Sequence, residues 1–414
     1  MKKRYLLIAF LITVIGFIAV IASILISRND HRSEVDQYVY CDDLQGGVFY
    51  EDSVLYLGSY GILHLIDVDS GRDVVYCNKP NCTHERYSHL NQNPSCPAVF
   101  YGLQYSGPVL YGEHLYFIGN MTNEDLFVTQ YLYEMDENGE NRRKAAALKE
   151  VQNVRTVIYS DGYVCGAYFN RIEVNDKGEI VNENKPCAGI FVIDLETYDV
   201  YMGEQVTGEQ ANITRIYYDN DAVYYCGVRF RDDITEDMIA DNFENDFETF
   251  IYDNVLYDIY RYDIKTKETS LIKELDHIYG AQMLDGDIYY TSKDGYFVLD
   301  KQTAEITELD AVERMVPEDK MLFGKFDKIG DELYFSYSDA DNMVVYCRVE
   351  GTDITELLKV PEAFIINSFC GSSIYVSYYD DEGRFCLGIM DMEDFNKGVY
   401  HPRRLRYYNE DEEE

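Results

Sequence analysis

The sequence predicts an all-β fold, a seven-bladed β-propeller preceded by one N-terminal transmembrane helix. Three observations point there: an uncharged apolar run near the N-terminus, a strand-and-turn phrase that recurs seven times, and a composition with 40 Tyr, 20 Phe and no Trp. Tyr suits half-buried strands, because its ring packs on a pleated face while its hydroxyl reaches water.

Met1-Lys2-Lys3-Arg4 precedes an uncharged run from Tyr5 to Ser27 dominated by Leu, Ile, Val, Phe and Ala. At about 1.5 Å rise per residue, the run crosses the ~30 Å hydrocarbon core of a bilayer. The cations ahead of it place residues 1–4 in the cytoplasm and the chain from Arg28 onward on the far side of the cell membrane. A cleaved signal peptide is the competing reading, but its apolar region is normally about 7–15 residues. Val20-Ile21-Ala22 resembles a cleavage site, yet a cut there leaves Ile24-Leu25-Ile26 in the new terminus. An uncleaved, single-pass signal anchor over 5–27 is therefore favoured. A stalk over 28–36, a propeller over 37–405 and an acidic disordered tail over 406–414 follow, the tail ending in Glu410-Asp411-Glu412-Glu413-Glu414.

The repeat carries the fold. A turn containing Gly, Asp or Asn leads into a short strand with an aliphatic–Tyr pair, at 52–57, 112–117, 161–165, 220–225, 285–290, 330–335 and 371–376. A second apolar strand follows, most often ending in Asp-x-x-Thr or Asp with a nearby Gly. It reads Leu65-Ile66-Asp67, Tyr133-Glu134-Met135-Asp136, Val192-Ile193-Asp194, Arg261-Tyr262-Asp263, Val298-Leu299-Asp300, a degenerate Tyr346-Cys347-Arg348, and Ile389-Met390-Asp391. Seven units of about 55 residues are a little longer than the ~40–50 of propeller blades. Each unit offers about four short strands and cannot bury both faces alone, whereas a radial array covers them. Sandwiches do not repeat, and β-helix coils are much shorter. Ring closure is expected to take strands from both ends, 37–40 or 47–50 at the front and 399–405 behind.

Asp285-Gly286-Asp287-Ile288-Tyr289-Tyr290-Thr291-Ser292 resembles the phrasing of DUF5050-type repeats in bacterial surface propellers. More distantly it is similar to TolB-like propellers and to the YWTD blades of lipoprotein receptors, although Trp is missing where that motif has it. The resemblance runs blade by blade over most of residues 40–405. It implies a propeller that binds, and it carries over no catalytic residue.

Two segments depart from the repeat. In 232–258, Ile239, Phe243, Phe247 and Ile251 fall four apart, which predicts an amphipathic helix over about 233–252 with Asp233 and Glu236 as a capping box. It reads as a decoration packed on its own blade, with a lid or partner-docking element as the alternative. In blade three, 171–174 and 179–182 flank Asn175-Asp176-Lys177-Gly178, a predicted β-hairpin.

The sharpest local feature is Cys77-Asn78-Lys79-Pro80-Asn81-Cys82-Thr83-His84, followed by Cys96. Cys77, Cys82, His84 and Cys96 are a ligand set for a closed tetrahedral structural Zn site. The spacing is irregular for a zinc knuckle, and outside the membrane a disulfide is preferred, Cys77–Cys96 or Cys82–Cys96. Similar segments occur in the bacterial propellers named above, which implies a feature of that family. Cys165, Cys226 and Cys347 sit inside strand patterns, as small hydrophobes would.

Formal charge is −39, and removing Lys2, Lys3 and Arg4 leaves −42 beyond the anchor, a surface that repels nucleic acid and anionic lipid. His84 and His89 are one residue too far apart for H-E-x-x-H. No G-x-S-x-G, phosphate-binding loop or dinucleotide fingerprint occurs. The runs at 339–342 and 380–383 read as hairpin turns, not EF-hand loops. The favoured function is a membrane-anchored extracytoplasmic binding module for a protein, peptide or glycan. The alternatives are a carbohydrate-active propeller enzyme (glycosidase or lyase) and an accessory or sensor subunit of an envelope complex.

Overall fold

The computed structural model describes residues 39–407 apart from 43–47, 51–52, 59–60, 86–94, 101–108, 120–128, 171–172, 175–179, 183–185, 244–246, 310–324, 330–331, 340, 342, 351–352, 362–363 and 371. The expected anchor, the stalk and residues 408–414 lie outside the described residues. Among the described residues no helix is long and apolar enough to cross a membrane. Arg406 and Tyr407, expected in the tail, instead belong to the last strand, Arg403–Tyr407.

Seven antiparallel sheets follow one another along the chain, as blades 1 to 7 over residues 48–75, 109–148, 153–207, 212–275, 278–308, 325–361 and 365–407. Within each blade the strands pair in sequence order, except that Val206–Thr207 of blade 3 pairs with Cys187–Asp194 alongside Val200–Met202. An apolar cluster fills the seam between each pair of consecutive blades. Leu63, Phe100 and Phe117 join blades 1 and 2, and Val164, Tyr159 and Leu148 join 2 and 3. Further clusters join 3 to 4, 4 to 5, 5 to 6 and 6 to 7. A last one joins Val54 of blade 1 to Tyr375, Leu387 and Ile389 of blade 7, so the sheets close into a ring. The fold is a seven-bladed β-propeller.

The repeated phrase is the chemistry of two turns. Asp161-Gly162, Asn220-Asp221 and Asp285-Gly286 all have positive φ and join the first two strands of their blades, the two-residue hairpin that matches strand twist. The phrase Asp-x-x-Thr/Gly makes the turn between third and fourth strands. Asp194 Oδ1 accepts from the amides of Glu196 (2.8 Å) and Thr197 (3.3 Å), and Asp300 Oδ1 from Gln302 (2.9 Å) and Thr303 (2.7 Å). Asp263 repeats this with Lys265 and Thr266. Asp391 caps the short helix Met392–Asn396 instead. Asp339 and Asp380 also make hairpin turns by accepting local amides.

These turns fix which face is which. First strands of neighbouring blades meet, as Asn153–Ser160 meets Asn212–Asp219 and Val48–Tyr50 meets Ile365–Cys370, so first strands ring the axis. Fourth strands such as Ile306–Glu308 lie exposed at the rim. In up-and-down blades the tight first-to-second turns therefore share one face. The second-to-third connections share the other, and three of these are long: 120–129, 171–186 and 231–254.

Connection 171–186 contains the expected hairpin, Glu173–Val174 against Ile180–Asn182. Connection 231–254 differs from the single helix expected. It holds two described helices, α1 (Glu236–Phe243) and α2 (Phe247–Asn254). The cap is Thr235, whose Oγ1 accepts from the Met238 amide at 3.3 Å, and not Asp233. Ile239, Phe250 and Ile251 pack onto the blade 4–5 seam, as a decoration would.

Ring closure also differs from expectation. Blade 1 is complete with N-terminal strands and blade 7 with C-terminal ones, so no blade is shared. Strand Val39–Asp42 instead pairs antiparallel with Asn153–Ser160, the innermost strand of blade 3. The closing seam is held by side chains. Arg406 of blade 7, 4% exposed, places Nη1 2.8 Å from Asp73 Oδ2 and stacks its guanidinium 4.7 Å from the Tyr56 ring centroid. Asp73 also accepts from Tyr56 Oη (2.7 Å) and meets His64 Nδ1 (2.9 Å), so the arginine and two blade-1 side chains converge on one carboxylate.

Removing one partner of a buried pair strands the other charge. Asp73→Ala, which leaves the buried Arg406 guanidinium without its carboxylate, is expected to lower unfolding free energy by about 2–4 kcal/mol in denaturant titration. Arg384→Ala, which breaks an exposed pair with Asp380, should cost no more than about 1 kcal/mol. Equal losses would remove the special role given to Arg406.

Candidate functional site

Outer strand Asp73–Val75 of blade 1 ends at Tyr76 and Cys77, and the chain returns at Ser95–Phe100 to the same blade. The return is fixed by backbone bonds: the Leu63 amide donates to Ala98 O (2.8 Å) and the Phe100 amide to Gly61 O (2.7 Å). Gly61 has φ +71, and a Cβ there would sit 2.4 Å from Phe100 O. From blade 2, Gly139 (φ +80) lets the Asp136 turn press on Pro97, where a Cβ would meet the proline Cβ at 2.6 Å. Arg142 Nη1 donates to Val99 O (3.0 Å) and Nη2 to Pro97 O, and its guanidinium lies 4.5 Å from the Phe100 ring centroid.

This scaffold brings Cys77, Cys82, His84 and Cys96 together. Their three sulfurs and one imidazole nitrogen all lie within 4.8 Å of one another. His84 Nδ1 is 3.3 Å from Cys96 Sγ. Positive φ at Asn81 (58°) and His84 (49°) curls the short segment so that Cys82 and His84 face the same point. Cys77, Cys82 and Cys96 stand as free cysteines. The four donors converge on one centre. Cys96 is buried, while the other three are partly buried. His89 lies outside the described residues. Among the described residues this is the one His/Cys/Asp/Glu group with metal-ligand spacing.

The electrostatics favour thiolate on one side of the cluster. The His84 backbone N–H donates to the Cys82 sulfur and holds that thiol below its ordinary range, helped by Lys79. Burial pushes the Cys96 thiol up to about 12, opposed by the Ala98 N–H. Burial likewise pulls Arg142 down to about 10, opposed by the nearby Cys96 and Tyr133.

Elsewhere, a crevice of about 400 Å³ lies between blades 5 and 6, lined by Tyr289, Leu333, Arg348 and Glu350. Its arginine is already paired, with Nε 2.8 Å from Glu350. Near the axis on the long-connection face, Tyr252 packs against Tyr279 (4.7 Å) and His277 (5.4 Å), with Lys293 Nζ 4.0 Å from its ring centroid. Cys165, Cys226 and Cys347 are buried strand residues, as the sequence suggested.

No family model matches the sequence, and no curated protein does. Among solved structures, the chain is similar to the acylaminoacyl peptidase of Pyrococcus horikoshii, with TM-score 0.48 and 13% identity over 92% of this chain and 54% of that one. It is similar to the β-propeller domain of the Trilobed protease from Pyrococcus furiosus, with TM-score 0.46 and 13% identity over 86% and 94% of the two chains. A structure from a study of two prolyl endopeptidases gives TM-score 0.50 and 10% identity over 91% and 50%. This chain thus spans about half the length of the peptidase and endopeptidase chains. These likenesses concern fold alone.

Sequence reading found the four donors but missed Arg142, Gly61 and Gly139, which hold the return segment. Gly139 was findable, because it closes the turn after Asp136 in the repeat. Arg142 carried no signal, since one arginine in a charged turn looks like any other. Gly139→Ala adds both a left-handed φ penalty and a clash with Pro97, and should cost about 2–3 kcal/mol in thermal unfolding. Gly112→Ala, with φ +61 but open space, should cost about 1 kcal/mol. Equal costs would show that Pro97 yields freely.

Proposed function

We propose that this protein is a membrane-anchored extracytoplasmic binding module that presents its long connections away from the membrane. The observation that carries the reading is the strand Val39–Asp42. It runs antiparallel to Asn153–Ser160, with Val39 opposite Tyr159, and so enters the ring at the tight-turn face beside Asp161-Gly162. The proposed anchor ends at residue 27, and residues 28–38 reach at most about 40 Å when extended. The tight-turn face therefore lies toward the membrane. The opposite face carries the hairpin Glu173–Asn182 and helices α1 and α2. Long loops on a rigid scaffold are where binding surfaces are built.

Strand Val39–Asp42 also bears on the enzyme alternative. It fills the inner edge of blade 3, in the channel where a propeller would gather catalytic side chains. A binding role leaves the channel free to serve as the entry of the tether. The acidic surface fits a cationic peptide or a neutral glycan better than an anionic polymer.

The test uses the full chain in intact bacterial cells. An epitope inserted at 175–179 should be reached by external antibody, and binding to peptide or glycan arrays should occur without product formation. An epitope reached only after lysis would contradict the placement. Cleavage of a glycan, read by mass spectrometry, would replace the binding module with an enzyme.

A further inference from the structure

We propose that Cys77, Cys82, His84 and Cys96 hold one structural Zn²⁺ that clips the rim of blade 1 to the segment returning toward blade 2. The donor geometry leads there. Around a tetrahedral ion with Zn–S near 2.3 Å, neighbouring sulfurs lie about 3.8 Å apart. Four donors mutually within 4.8 Å need only a small contraction to reach that shape. A disulfide would consume two of the three thiols and leave the third thiol and the imidazole outside the link. A single ion uses all four. Soft thiolates with one imidazole in a closed tetrahedral set select zinc over the hard cations.

The surroundings suit such an ion. Three thiolates around Zn²⁺ carry a net charge of −1, and two cations stand beside the cluster in an otherwise acidic protein. Lys79 interacts with Cys82, and Arg142, largely buried, interacts with Cys96. Lys79 is itself held by donation to Ser95 O, next to Cys96. Two sulfurs also accept backbone N–H groups, each from the residue two positions on: Cys82 from His84, and Cys96 from Ala98. Hydrogen bonds of this kind orient ligands and stabilise them in the deprotonated form that metal binding needs. No position is left open for substrate, so the site is structural, not catalytic. Without the ion, the rim beyond Val75 would be joined to the return segment by few bonds among the described residues.

The full chain, purified in detergent under reducing conditions with zinc and without chelator, provides the test. Elemental analysis should find about one zinc per chain, and non-reducing peptide mapping should find Cys77, Cys82 and Cys96 all unlinked. His84→Ala should release the zinc on dialysis against a chelator, while His84→Cys retains it, because four thiolates also form a closed site. Cys226→Ala, a buried thiol in blade 4, should leave the stoichiometry unchanged. Chelation should lower the thermal midpoint of the native chain but not that of His84→Ala. A disulfide among the three cysteines would overturn the proposal. So would a folded chain with three free thiols and no zinc, or zinc lost equally from Cys226→Ala. None of these outcomes depends on where the propeller sits in the cell.

Discussion

The structure depends on closing a ring whose last seam has no covalent help. Every other pair of neighbouring blades is joined by the chain itself, which raises the local concentration of the two faces. Among the described residues, blades 7 and 1 are joined through side chains, because neither end of the chain lends a strand to the other's blade. Val54, Tyr375, Leu387 and Ile389 supply the apolar part of that seam, and Arg406 locks it against Asp73 and Tyr56. If it opens, two sheet faces are exposed and the channel that receives Val39–Asp42 loses its wall. Arg403 adds a bond from the same strand to Val68 O across the seam.

The same economy appears at the other seams, where tyrosine is the recurring device. Tyr111 Oη accepts from the Gly162 amide at 2.8 Å between blades 2 and 3. Tyr225 Oη donates to Glu204 O at 3.1 Å between blades 4 and 3, and Tyr334 Oη to Asn396 Oδ1 at 2.7 Å between 6 and 7. A tyrosine spans the apolar thickness of a seam and ends in a group that ties the next blade's backbone or turn. Phe fills space but cannot make that tie. Such ties are one use this fold makes of its abundant Tyr.

Much of this was legible in the sequence because the blade is a local object. Asp161-Gly162 and Asp194-x-x-Thr197 declare their turns within a few residues, and their sevenfold recurrence declares the ring. The hairpin over 171–182 was legible for the same reason. What was not legible is what depends on distance. Arg406 and Asp73 are 333 residues apart, and no pattern around either marks them as partners. The pairing of Val39–Asp42 with blade 3 crosses two blades and is set by an open strand edge, which has no sequence signature. The single helix expected over 233–252 rested on a four-residue apolar spacing that runs through both observed helices, Glu236–Phe243 and Phe247–Asn254, and so could not mark where one ends and the next begins. The four metal-type donors were visible, but compartment reasoning favoured pairing two of them. Their convergence rests on Gly61, Gly139 and Arg142, which lie in other parts of the two blades.

Closure through the blade 7–1 seam is the claim on which the account stands, and native-state hydrogen exchange tests it most directly. In a closed ring, the amides of Ser53–Leu57 in blade 1 and Ser373–Tyr379 in blade 7 open together, with one shared free energy and the same dependence on denaturant. If those two strands instead exchange independently, and far faster than Tyr163–Asn170 in blade 3, the array is open and the seam does not hold.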